Sequence, residues 1–83
     1  MRDPIDVGEN LYPIGSPERE AEIRRKIERF KQASAARRQE LKKEIMNHWN
    51  LLNDSLEGIE DSPDYINLMQ IKGELKFYGI WPQ

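Results

Sequence analysis

The chain contains no cysteine and one histidine in 83 residues. Disulfides are therefore excluded, and a thiolate or multi-histidine zinc centre has no ligands. No apolar run approaches the roughly 18–20 residues that a membrane-spanning helix needs. The opening Met1-Arg2-Asp3-Pro4 lacks the apolar core of a signal peptide. A soluble, cytoplasmic chain is the expectation, and a mean hydropathy of −0.86 with 34% charged residues agrees with it. A chain this short makes one domain at most, and with neither disulfide nor metal it depends on well-packed helices or on a partner.

What the sequence has is charge, unevenly laid out. The formal net charge is only −2. Between Arg24 and Lys43, however, nine Lys/Arg face two acids, whereas residues 1–23 and 44–83 are both net acidic. A basic block between acidic flanks is the main compositional signal.

Residues 1–15 read as an extended arm, since Pro4, Gly8, Pro13 and Gly15 break any helix. The arm carries Ile5, Val7, Leu11, Tyr12 and Ile14, which can pack along a groove or a partner. A plain terminus with incidental apolar residues is the alternative. The rest, 16–83, reads as one helical domain.

Ser16-Pro17-Glu18 is a helix start: Ser16 can cap, Pro17 suits the first position, and Glu18, Glu20 and Glu22 favour the positive end of the dipole. No proline or glycine follows until Gly58. At 100° steps Ile23, Ile27, Phe30, Leu41, Ile45, Trp49, Leu52, Leu56 and Ile59 share a sector about 100° wide. A strict heptad would put Ser34, Arg37, Glu44, His48, Ser55 and Gly58 at core positions, so a bundle fits better than a coiled coil. The pattern predicts one long helix over about 17–58. A second start, Ser62-Pro63-Asp64, opens a short helix over about 63–78, with Gly79 as its stop and Ile80 folding back.

The expected fold is thus all-α: a hairpin of a long and a short helix with an extended N-terminal arm, completed as a bundle by self-association. At 1.5 Å per residue the long helix would run roughly 63 Å and the short one roughly 24 Å. The short helix would cover only about 43–58 and leave Ile23, Ile27 and Phe30 without a partner from their own chain. It also bears two apolar stripes. Leu68, Ile71, Leu75 and Tyr78 form one; Tyr65, Ile66, Met69, Gly73 and Phe77 form the other. One stripe meets the long helix, and the second is left for a partner or a second copy. Trp81, close to the terminus, is expected to dock. A break near Ser34–Arg38, where the stripe is polar, would instead give a three-helix bundle and hide these faces.

The partner-binding candidates are accordingly Ile23, Ile27, Phe30, Tyr65, Ile66, Met69, Phe77 and Trp81. The basic block has a second reading. Arg24, Lys31, Arg38 and Lys42 line one edge of the long helix while Arg25, Arg29 and Lys43 gather on its outer face, rows that can follow a phosphate backbone or an acidic partner. Against this, Glu20–Arg24, Glu22–Lys26 and Glu40–Lys43 are good helical pairs, and no base-reading module is present. Bulky apolar residues opposite the charges are too few for a membrane-surface helix. Glu40, Glu44 and His48 share a helix edge but lack matching ligands elsewhere, and no nucleophile–base pair or phosphate-cradling loop occurs. The expectation is no catalysis, no cofactor and no small-molecule substrate. The sequence points to a helical interaction protein, such as a small adaptor, assembly factor or inhibitor. A nucleic-acid-binding rod is the alternative.

Overall fold

The computed structural model describes residues 12–82. Three helices and no strand occur among them: α1 (Glu18–Gln32), α2 (Ala35–Ser55) and α3 (Pro63–Phe77). Each helix packs on the other two. The expected arm over residues 1–11 lies outside the described residues. Its last part, 12–15, makes a turn closed by Ser16 N–H donating to Pro13 O at 3.0 Å.

The expected long helix is corrected here. It divides at Ala33-Ser34, where both residues are extended (ψ 157° and 165°). Ser34 Oγ then accepts from Arg37 N–H at 3.4 Å and caps α2. The other side of the break is closed by Arg38, whose guanidinium donates to the Phe30 and Lys31 carbonyls, both at 3.1 Å. Those carbonyls belong to the last turn of α1, where the helix itself supplies no further donors, and Phe30 O also accepts from the capping Ala33 N–H at 3.2 Å. The physical reason for the break is burial. An unbroken rod would strand Ile23, Ile27 and Phe30 in water. Folding α1 back buries all three, and the described chain measures 36 × 36 × 21 Å.

The apolar stripe forms the core. From Ile23 to Leu56 every apolar member is buried, together with Leu68, Ile71, Leu75 and Ile80, while Ile59 packs at the edge. Trp49 anchors α2 to α3 through Nε1–H donating to Leu68 O at 3.1 Å. The α1 start differs slightly from expectation. Pro17 is the capping position, and the Ser16 hydroxyl donates to the Glu18 carboxylate instead of accepting from the backbone. That bond pulls the Glu18 carboxyl below its usual value.

The end of α3 follows expectation closely. Gly79 takes φ +77° and donates to Lys76 O at 3.2 Å, and Ile80 N–H donates to Leu75 O at 2.8 Å. This is the Schellman arrangement, and its hydrophobic contact brings Ile80 into the core. Trp81 then lands edge-on against Trp49, ring centroids 4.8 Å apart, with the Lys72 ammonium 4.8 Å from its ring centre.

Candidate functional site

The fold redistributes the sequence's candidates into three groups. Ile23, Ile27 and Phe30 are core residues of their own chain, so the reason for assigning them to a partner disappears. Tyr65, Met69 and Trp81 are half-buried and pack against that core. Ile66 and Phe77 remain on the surface, 53% and 82% exposed. Phe77 touches the Tyr78 ring edge-on at 5.1 Å and otherwise faces solvent.

Helical geometry explains the pair. The inward face of α3 is set by Leu68, Ile71 and Leu75, all fully buried. Ile66, Gly73 and Phe77 lie roughly 180° away at 100° per residue, so burying one stripe forces the other outward. Neither α1 nor α2 covers this outer line. The second stripe of α3 is thus the exposed apolar surface that the sequence anticipated, reduced to Ile66 and Phe77 with Met69 beside them.

The basic block is largely engaged. Arg24 pairs with Glu74 across α1 and α3 at 2.6 Å. Arg25 pairs with Glu22 at 2.5 Å, Lys31 with Glu28 at 3.0 Å, and Arg37 with Glu40. Contact with Glu28, and after it Tyr78, raises the Lys31 ammonium pKa. Arg38 is spent on α1's carbonyls and lies 5.3 Å from the Phe30 ring centre. The expected pairs Glu20–Arg24 and Glu40–Lys43 are replaced by Arg24–Glu74 and Arg37–Glu40. Arg29, Lys42 and Lys43 make no ion pair among the described residues, and Lys42 and Lys43 border a shallow groove of about 360 Å³ with Met46, Ile80 and Pro82. The straight basic edge expected along one helix does not form, because the break changes the chain direction between Arg24–Lys31 on α1 and Arg38–Lys42 on α2.

Sequence reasoning missed one constellation altogether. Arg19 is 2% exposed and sits where the three elements converge. It donates to Tyr12 O at 2.7 Å and to Leu52 O at 3.5 Å, and its Nε lies 3.8 Å from Glu20 Oε2 and 3.9 Å from Asp64 Oδ2. Asp64 Oδ2 also accepts from Gly15 N–H at 2.6 Å, tying the N-terminal turn to the start of α3. Glu20 is nearly buried, and its Oε2 has no hydrogen-bond partner among the described residues. Burial, and after it the Asp64 carboxylate, raise the Glu20 pKa, with Arg19 and Arg24 opposing. The one sequence signal was helical spacing: Arg19 lies one turn before Ile23 and Glu20 falls in the sector of the apolar stripe, but charge alone gives no sign of burial.

Glu20 and Asp64 line an open cleft of about 480 Å³ with Arg24, Asn67 and the Gly15-Ser16 turn. His48 is buried on α2. No group of three or more His, Cys, Asp or Glu suited to a metal occurs among the described residues. Nor is any helix among them long and apolar enough to cross a membrane.

Comparisons with protein-family models, with curated proteins and with solved structures return no match.

Proposed function

We propose that the chain is a non-enzymatic helical interaction module, an adaptor, assembly factor or inhibitor in kind, whose contact surface is the outer face of α3. One observation carries this reading. Phe77 is 82% exposed on a regular helix, in line with Ile66 at 53%. Two large apolar residues in register on the side of a helix opposite its core cost solubility and give the isolated fold nothing in return. Aromatic residues of this kind are the usual anchors of interfaces.

The test is a photo-crosslinking amino acid placed at Phe77, at Ile66 or, as a control, at Asn50 on the exposed side of α2. The products are identified by mass spectrometry. The reading expects defined protein adducts from 77 and 66 and none from 50. Adducts from none of the three, or equal labelling at all of them, would overturn it.

A second reading has its own observation. Lys42, Lys43 and Arg29 are cations without ion pairs among the described residues, and such cations can neutralise phosphates. Duplex DNA titrated across a salt series tests it. Binding that weakens steeply with salt and falls in a Lys42→Glu/Lys43→Glu variant would favour this reading. No binding at low salt would remove it.

A further inference from the structure

Gly73 stands in the middle of α3, and nothing within the fold calls for glycine there. Its φ is not positive, and a Cβ built at this position meets no atom within 4 Å. Glycine inside a helix costs about 1 kcal/mol relative to alanine. Here that cost brings no turn and no close intramolecular approach. Gly73 lies between Ile66 and Phe77 on the exposed line of α3, so the space above it is open to another molecule.

We propose that this line is the contact between two copies of the chain, α3 packed antiparallel on α3 about a two-fold axis midway between Gln70 and Gly73. The inference rests on the interaction reading above and names its partner. Ile66 and Phe77 are three turns apart, about 16 Å, so both point the same way. In the antiparallel register Ile66 of each copy lies opposite Phe77 of the other. Gln70 lies opposite Gly73 of the other copy, whose missing side chain leaves room for it. The two exposed apolar residues cover each other twice, which an isologous contact requires and a parallel one would not deliver. Met69 flanks the seam beside Phe77 of the second copy, a favourable sulfur–aromatic neighbour.

Charge favours the same orientation. Glu60 and Asp61 are exposed just before α3. Lys76 is exposed in its last turn and makes no ion pair among the described residues. An antiparallel pair sets the lysine end of one helix beside the acidic end of the other and opposes the helix dipoles. A parallel pair would set like beside like.

The absence of cysteine makes the register directly measurable. Ile66→Cys and Phe77→Cys are made as separate variants, checked for an unchanged circular dichroism spectrum and thermal midpoint, and oxidised alone and as an equimolar mixture. The mixture is expected to give a disulfide-linked heterodimer and each variant alone to give none, since like positions would be about 16 Å apart, beyond disulfide reach. Light scattering of the unmodified chain is expected to approach twice 9.8 kDa as concentration rises. Gly73→Leu should weaken that association at least tenfold while leaving the monomer folded. Efficient linkage of Phe77→Cys with itself, or a mass that stays at the monomer value through high micromolar concentrations, overturns the two-fold pairing. In the second case adducts from position 77 to a different protein would leave the interaction reading standing. The absence of any adduct would remove both.

Discussion

The guanidinium of Arg38 donates to the carbonyl of Phe30 at 3.1 Å and lies 5.3 Å from the centre of the same residue's ring. This contact across the α1–α2 break converts what reads as one helix into two. The charge also suits its place, since a cation at a helix C-terminus is favoured by the dipole. Arg38→Ala should therefore lower stability by about 1–2 kcal/mol. For a chain of this size each kcal/mol is about 4–8 °C in thermal midpoint. Arg38→Lys keeps the charge but loses the planar fork that reaches two carbonyls, so it should fall near the alanine variant. A lysine variant as stable as the parent would show that charge alone closes the break.

Ile23→Ala tests whether α1 is core or surface. Ile23 is fully buried against α2 and α3. Its truncation should cost about 2–5 kcal/mol, comparable with the whole stability of a small domain. Urea unfolding of the isolated chain measures it. A loss under about 0.5 kcal/mol, typical of exposed sites, would mean that α1 does not pack as described.

Glu20 makes stability depend on pH in a definite direction. Burial and Asp64 raise its folded-state pKa above the unfolded value. Folding therefore takes up a proton in the window between the two values. Glu20's contribution is most favourable below the ordinary glutamate range and declines as pH rises through the raised value. Glu20→Gln should flatten the pH profile in that window and leave the protein at least as stable as the parent at pH 7. Thermal midpoints between pH 4 and 8 check this. A glutamine variant markedly less stable at neutral pH would mean that the charged carboxylate is needed to hold Arg19.

Two glycines should respond to alanine with opposite sign. Gly79 has φ +77°, where a Cβ is strained, and its N–H closes the end of α3. Gly79→Ala should cost about 1–2 kcal/mol. Gly73 is helical with open space around it, and Gly73→Ala should gain about 0.5–1 kcal/mol when measured on dilute, monomeric protein. Denaturant midpoints compare them directly. Equal effects at the two positions would contradict the backbone described.

How much of this was written in the sequence follows from the range over which each interaction acts. The cap and stop of α3, the turn into it, and the apolar stripe from Ile23 to Leu56 depend on neighbours within a turn or two, and the order of residues determined them. The two faces of α3 were legible for the same reason, because a helix has a fixed period. The break at Ala33-Ser34 was legible only as an alternative, in the polar interruption of the stripe near Ser34–Arg38. No glycine or proline marks it, and the first turn of α2 bears Arg37 and Arg38 where a helix start favours acids. What divides the helix is the gain from burying Ile23, Ile27 and Phe30 on elements distant in sequence, with Arg38 closing the gap. The fates of the basic block and of Arg19 were decided the same way, by partners such as Glu74, Asp64 and Leu52 that only the folded chain brings near. Local chemistry wrote the helices and their faces. Tertiary burial chose which of those faces would stay in water, and it left Ile66 and Phe77 there.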